Sequence, residues 1–210
     1  PIPAPWPVSV NFGNQKVGTS SSTLTSTLSN SGMAPLAVSG VSTTGDFSQT
    51  DDCATVAIGG SCTANVTFTP TVVGARIGTL SFTDGKVQTV ALSGTGTAPA
   101  VTLSPTTLKY ATQLINTSSP AKTVTLTNSG NATLNITSIS ITGTNAADYS
   151  QTNTCGTTVN PGASCTISVT FKPTAKNTRS ASLSVADDAV GSPQTVALSG
   201  VGTVVKLTPK

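Results

Sequence analysis

The chain carries the same sequence pattern twice. Asn30-Ser31-Gly32 returns as Asn128-Ser129-Gly130, and the pair Cys53 and Cys62 returns as Cys155 and Cys165. Phe68-Thr69-Pro70 returns as Phe171-Lys172-Pro173, and Ala91-Leu92-Ser93-Gly94-Thr95-Gly96-Thr97 returns as Ala197-Leu198-Ser199-Gly200-Val201-Gly202-Thr203. The offset widens along the chain, as expected of diverged copies with small loop insertions. A unit of roughly 100 residues is the size of one β-sandwich domain. The sequence therefore predicts two tandem domains, residues 1–98 and 99–204. Residues 205–210 open a further repeat or linker, since Val205-Lys206-Leu207-Thr208-Pro209 echoes Val101-Thr102-Leu103-Ser104-Pro105. The proline-rich start, Pro1 to Pro7, reads as linker.

Composition narrows the fold class. Ser and Thr make up about a third of the residues, and there is no Glu. Thr and Val favour pleated, half-buried surfaces, whereas long helices draw on Ala, Glu, Lys and Leu. Disordered Ser/Thr stalks lack regular apolar alternation, and this chain alternates throughout. Cys62, Ala64, Val66 and Phe68 fall on one face of a strand, with Thr63, Asn65, Thr67 and Thr69 on the other. Cys165, Ile167, Val169 and Phe171 repeat the arrangement. Period-two patterning sends those sets into a core between sheets, to meet Leu24, Leu28, Leu80, Phe82 and Leu92 in the first copy. In the second they meet Val124, Leu126, Leu183, Val185 and Leu198. Asp84-Gly85 is a type I′ hairpin signal. Seven short strands per copy give an all-β architecture: two tandem seven-stranded immunoglobulin-like sandwiches joined by a short linker near Thr97–Ala100. Such a linker predicts stiff repeats, an elongated rod and a monomer.

The cysteines stand nine and ten residues apart in the two copies, each pair ending on the fifth strand. A local disulfide in each copy, Cys53 with Cys62 and Cys155 with Cys165, is the leading reading. The loop-entropy model makes each worth about 2–3 kcal/mol. Structural zinc sites prefer tighter Cys spacings with more Cys or His nearby, and the chain has no His. Free thiols in a reducing cell are the other alternative. Four symmetric Cys suit an oxidising, exported compartment, extracellular or at the cell surface.

These motifs, in this order, resemble a known repeat: Phe12-Gly13, Asn-x-Gly, Gly-x-Ser-Cys (Gly162-Ala163-Ser164-Cys165, with Gly60-Ser61-Cys62 lacking the spacer), Val-Thr-Phe-x-Pro and Ala-Leu-Ser-Gly-x-Gly. The chain resembles the bacterial immunoglobulin-like repeats of "choice-of-anchor D" proteins. These are similar to Hydin and abnormal-spindle type domains and akin to major sperm protein and PapD folds. The resemblance spans both copies, with Lys109-Tyr110-Ala111 departing from Asn11-Phe12-Gly13. It implies a non-catalytic structural or spacer module of a secreted or surface-exposed bacterial multidomain protein, displaying other domains or supporting adhesion. Its partners would be neighbouring domains of the same polypeptide.

The chemistry the residues allow agrees with that implication. Without His there is no Ser-His-Asp or Cys-His arrangement. The carboxylates are Asp46, Asp51, Asp52, Asp84, Asp148, Asp187 and Asp188, all beside predicted turns, where Asp serves its own backbone. A calcium site at Asp51-Asp52 or Asp187-Asp188 would need about six to eight oxygens, and no D-x-D-x-D-G-type loop exists. No metal and no cofactor are expected. Net charge is +3 on scattered Lys and Arg, so nucleic acid is not an expected partner, and no apolar run is long enough for membrane insertion. The alternative function is a binding module for a glycan or protein partner. It would act through edge-strand addition or through the candidate ligand-binding residues Trp6, Tyr110 and Tyr149. The two tyrosines also suit the core rim.

Overall fold

The computed structural model describes residues 3–205. The expected start of a further copy at 205–210 falls outside it apart from Val205. The chain divides into two compact units between Thr97 and Ala98.

The first unit runs β1 (Pro3–Trp6), β2 (Ser9–Lys16), β3 (Leu24–Asn30), β4 (Leu36–Ala37), β5 (Gly40–Thr43), β6 (Phe47–Asp51), β7 (Thr55–Val56), β8 (Ser61–Phe68), β9 (Gly74–Thr83) and β10 (Val87–Thr97). Its sheets are ordered β1-β3-β8-β6 and β2-β10-β9-β5, with a short β4-β7 ribbon at the side. The second unit runs β11 (Val101–Ser104), β12 (Thr107–Leu114), β13 (Lys122–Asn128), β14 (Leu134–Thr142), β15 (Tyr149–Asn153), β16 (Thr158–Val159), β17 (Ser164–Phe171), β18 (Asn177–Asp187) and β19 (Gln194–Thr203). Its sheets are β11-β13-β17-β15 and β12-β19-β18-β14-β16. Both units are immunoglobulin-like sandwiches.

The structure departs from the sequence reading at three places. Pro3–Trp6 is a strand, not linker, pairing antiparallel with β3 from Pro3 opposite Asn30 to Trp6 opposite Thr27. It is an edge strand, where a proline's missing N–H can face away from the ladder. The chain then crosses to the other sheet at Pro7, and in the second unit it crosses likewise at Pro105, between β11 and β12. Both proline peptides are cis. At the β9–β10 hairpin, Thr83 pairs with Val87, so the loop has three residues rather than the two of a type I′ turn. Asp84 shapes it by accepting the Lys86 N–H at 3.1 Å.

Alternation places the core as expected. Leu28, Ala64, Val66, Phe68, Leu80, Phe82 and Val90 are completely buried in the first unit, as are Val124, Leu126, Ile167, Val169, Phe171, Leu183 and Val185 in the second. Leu24, expected in the core, opens β3 at its rim and stays 36% exposed.

Two sequence signatures form one packing unit. The first glycine of Gly-x-Gly lies under the ring of Phe-x-Pro: a Cβ on Gly94 would stand 2.5 Å from Phe68 Cε1, and one on Gly200 would collide with the Phe171 ring in the same way. The second glycine, Gly96 or Gly202, faces the proline of the same motif and a backbone carbonyl, Val72 O or Ala175 O, with no room for a Cβ. Overpacking of this kind costs about 1–3 kcal/mol. Gly200→Ala should therefore lose about 2 kcal/mol in a urea titration; a change below a few tenths would show that the ring shifts freely.

The two cores are filled differently. Ser26 faces Ala64 across β3 and β8, whereas Val124 faces Ile167 at the same place in the second unit. On the other sheet the size difference runs the opposite way, with a fully buried Phe82 in the first unit at the place of a fully buried Val185 in the second. Ser26 is fully buried and its hydroxyl has no hydrogen-bond partner. An unsatisfied buried hydroxyl costs about 1–3 kcal/mol. Ser26→Ala should stabilise the first unit by about 1 kcal/mol, read as a higher denaturation midpoint with unchanged slope; a lower midpoint would refute it.

Candidate functional site

The candidate residues fall into internal fastenings and one exposed surface. Cys53 is bonded to Cys62, and Cys155 to Cys165. Each bridge ties the start of the fifth strand to the loop before it. The Asp52 carboxylate lies within 4.8 Å of the Cys53 and Cys62 sulfurs. Those sulfurs are bonded to each other, so neither offers a thiolate to a metal.

The Asn-Ser-Gly turns are built around fully buried asparagines. Asn30 donates from Nδ2 to Ala34 O at 2.8 Å and Val56 O at 3.1 Å, while its Oδ1 accepts the Gly32 N–H at 3.0 Å. Asn128 donates to Ala132 O and Val159 O and accepts from Gly130 N and Ala100 N. Only an amide supplies donor and acceptor together in that space.

A second pair of fastenings was missed by sequence reasoning. The Asp46 backbone oxygen accepts from Thr69 N. Its carboxylate takes the Thr71 N–H at 3.2 Å, the Thr71 hydroxyl at 3.0 Å and Arg76 Nε at 2.6 Å. In the second unit the Asp148 backbone oxygen accepts from Lys172 N, and its carboxylate takes Thr174 N at 2.9 Å, the Thr174 hydroxyl at 2.7 Å and Arg179 Nε. The Asp148 side chain is 1% exposed. Each clamp fixes the segment that follows the Phe-x-Pro ring. The signal was present: the chain's two arginines, and the dipeptides Asp46-Phe47 and Asp148-Tyr149, occupy corresponding places. At Asp148, burial pushes the carboxyl up. The Thr174 hydroxyl, the Arg179 guanidinium and the Thr174 N–H outweigh it and hold the carboxyl below its ordinary value.

Tyr110 and Tyr149 leave the list of ligand-binding candidates, because both are buried, 8% and 6% exposed. Their rings pack with Phe171, at centroid distances of 5.6 and 4.9 Å, as Phe12 and Phe47 pack with Phe68. Their hydroxyls are used internally: Tyr110 donates to Val169 O at 2.6 Å and Tyr149 to Arg179 O at 2.8 Å. Burial, then the charge of Asp148, pushes the Tyr149 phenol up to about 12 despite Arg179. Neither ring can meet a ligand in this fold.

Trp6 is the opposite case, 73% exposed on the outer face of the β1-β3-β8-β6 sheet. On the same face of the sheet a shallow depression of about 430 Å³ is lined by Thr25, Ser48, Thr50, Asn65 and Thr67, among others. The carboxylates do other work. All seven accept a backbone N–H: Asp46 from Thr71, Asp51 from Cys53, Asp52 from Thr63, Asp84 from Lys86, Asp148 from Thr174, Asp187 from Ala189 and Asp188 from Asn135. Asp51 and Asp187 therefore shape their own turns, as the sequence suggested, whereas Asp52 and Asp188 reach across to Thr63 and Asn135 on neighbouring segments.

Residues 7–97 match the family model of the HYDIN/CFA65/VesB-like Ig-like domain, and residues 99–203 match that of Cep192 domain 4. The chain belongs to the Hydin- and Cep192-like immunoglobulin-like domains. No curated protein matches it. Among solved structures, this pair of immunoglobulin-like domains is similar to a protein of unknown function from Porphyromonas gingivalis W83, at 15% identity and TM-score 0.43, over 95% of this chain and 99% of that one. It is also similar to the PapD-like domain 7 of human CEP192, at 13% identity and TM-score 0.37, over 50% of this chain and 87% of that one. A third is the secreted serine protease VesC from Vibrio cholerae, at 12% identity and TM-score 0.35, over 78% of this chain and 45% of that one.

The Asp148 clamp gives a pH signature. A carboxyl with a depressed native pKa contributes stability above its unfolded pKa and loses it as pH falls through the native value. Thermal stability of the second unit should fall as pH drops below the ordinary carboxylate value of 3.8. Asp148→Ala should cost about 3 kcal/mol at neutral pH, since it strands Arg179, and the gap to wild type should close in acid. A gap that persists unchanged at about pH 2 would show that the charge contributes nothing.

Proposed function

We propose that these Hydin-like repeats are a non-catalytic structural module of an exported protein, spacing or displaying other domains of the same polypeptide. One observation carries this reading. In a chain with no His or Glu, all seven carboxylates accept a backbone N–H and all four cysteines are in disulfides, which supports side chains that hold the fold rather than a paired base and nucleophile. The two disulfides fit an oxidising compartment. Among the described residues no helix is long and apolar enough to cross a membrane. The match to Ig-like domain families is consistent with a module rather than a catalytic core.

The test is an exchange. Residues 7–203 are replaced, in the protein's native polypeptide, by an unrelated tandem pair of disulfide-bonded sandwiches. A spacer tolerates the swap, with export and surface accessibility of the flanking segments unchanged, while deletion of both units reduces accessibility. Loss of the protein's activity on exchange, with export intact, would overturn the spacer reading. Intact mass should fall by two disulfides' worth of hydrogen relative to the fully reduced chain; four alkylatable thiols in exported protein purified without reductant would contradict the compartment.

A further inference from the structure

We propose that the outer face of the β1-β3-β8-β6 sheet is a binding surface for a neutral glycan chain, with Trp6 as its stacking platform and Thr25, Thr50 and Asn65 as its hydrogen-bonding groups. This goes beyond the structural role above and applies to the first unit alone.

Strand register places these groups. Trp6 pairs with Thr27, and Thr27 pairs with Thr63, so the three form a row across the sheet with side chains on one face. The next row on that face runs Thr25, Asn65, Thr50. Beyond it come Thr67 and Ser48, whose hydroxyls are bonded at 2.8 Å. Thr25 Oγ1 donates to Asn65 Oδ1 at 2.9 Å, so the Asn65 amide nitrogen is not used in that bond, and both residues line the depression. Neighbouring strands stand about 4.8 Å apart, and successive same-face residues about 6.7 Å apart. Trp6 and the depression are therefore within the span of two or three sugar rings.

The chemistry of this face points to an uncharged, hydroxylated partner. None of Trp6, Thr27, Thr63, Thr25, Asn65 and Thr50 is ionisable. Two carboxylates stand at the edge, Asp51 and Asp52, and they accept the Cys53 N–H at 3.0 Å and the Thr63 N–H at 2.6 Å. A large exposed aromatic is the informative exception on a soluble surface. Here its neighbours are hydroxyls and an amide rather than an apolar patch. Val8, exposed and nearby in sequence, is tied to the other sheet through the Ala91 N–H. A pyranose offers the same combination in reverse: an apolar C–H face for the indole and equatorial hydroxyls for the polar rows. Mostly apolar contact with a few placed polar groups is how small-ligand sites gain orientation.

The second unit supplies an internal control. Ser104 pairs with Thr125 where Trp6 pairs with Thr27, and Thr125 pairs with Thr166. The hydroxyl rows persist and the platform is missing.

Trp6 is the only tryptophan, so tryptophan emission of the full chain, excited at the red edge where Tyr110 and Tyr149 do not absorb, reports on this surface alone. Titration with cellohexaose, laminarihexaose and mannohexaose should give a saturable emission change with at least one of them at millimolar concentration. The double variant Asn65→Ala/Thr50→Ala, with an unchanged melting midpoint, should bind about tenfold more weakly, one lost hydrogen-bonding site's worth. Trp6→Ala should bind undetectably by calorimetry. No response to any of the three sugars would overturn the proposal and leave Trp6 as a protein-contact residue. A response that the double variant does not weaken would equally overturn it, because the sugar would then be stacking on an isolated ring rather than using this face.

Discussion

The ring of Phe68 lies on the bare backbone of Gly94, and that of Phe171 on Gly200. This contact ties β8 of one sheet to β10 of the other in the first unit, and β17 to β19 in the second. It succeeds only if the chain leaving the ring is held in place, and the aspartate clamp does this: Asp46 and Asp148 capture the backbone and threonine just beyond the Phe-x-Pro segment and are themselves held by an arginine on the next strand. The disulfide fixes the beginning of the same strand. The strand that carries the core is thus secured at both ends, and the buried asparagine fastens the adjoining loops to it.

The sheet composition of this fold was legible because alternation is a local property. Cys62 to Phe68 and Cys165 to Phe171 declare their faces residue by residue, and the structure buries those sets. The strand at Pro3–Trp6 was not legible, because edge position, which makes its prolines tolerable, is a tertiary fact that local propensity does not carry. The hairpin at Asp84 failed for a related reason: the dipeptide signals a turn, but the Asx contact to Lys86 sets its length.

The candidate site shows the same division. That the aromatics Tyr110 and Tyr149 would be interior depends on which face of β12 and β15 packs inward, and on carbonyls at Val169 and Arg179 that lie far away in sequence. The clamps were missed because their partners are separated by 25 residues or more. Only the coincidence of two arginines and two Asp-aromatic dipeptides across the repeat hinted at them. Trp6 could be noticed by its rarity, but its exposure and its hydroxyl neighbours are properties of strand register.

The exchange of volume between the two cores has an evolutionary consequence. Ser26, Ala64 and Phe82 form one solution, and Val124, Ile167 and Val185 form another. These positions lie on three strands, far apart along the gene. Unequal crossover between the two copies would splice part of one set onto part of the other, leaving either a void or a clash in the hybrid. Each copy is therefore shielded from being overwritten by its neighbour in small pieces. Homogenisation of such an array would favour whole units, with junctions between sandwiches, where no core set is divided.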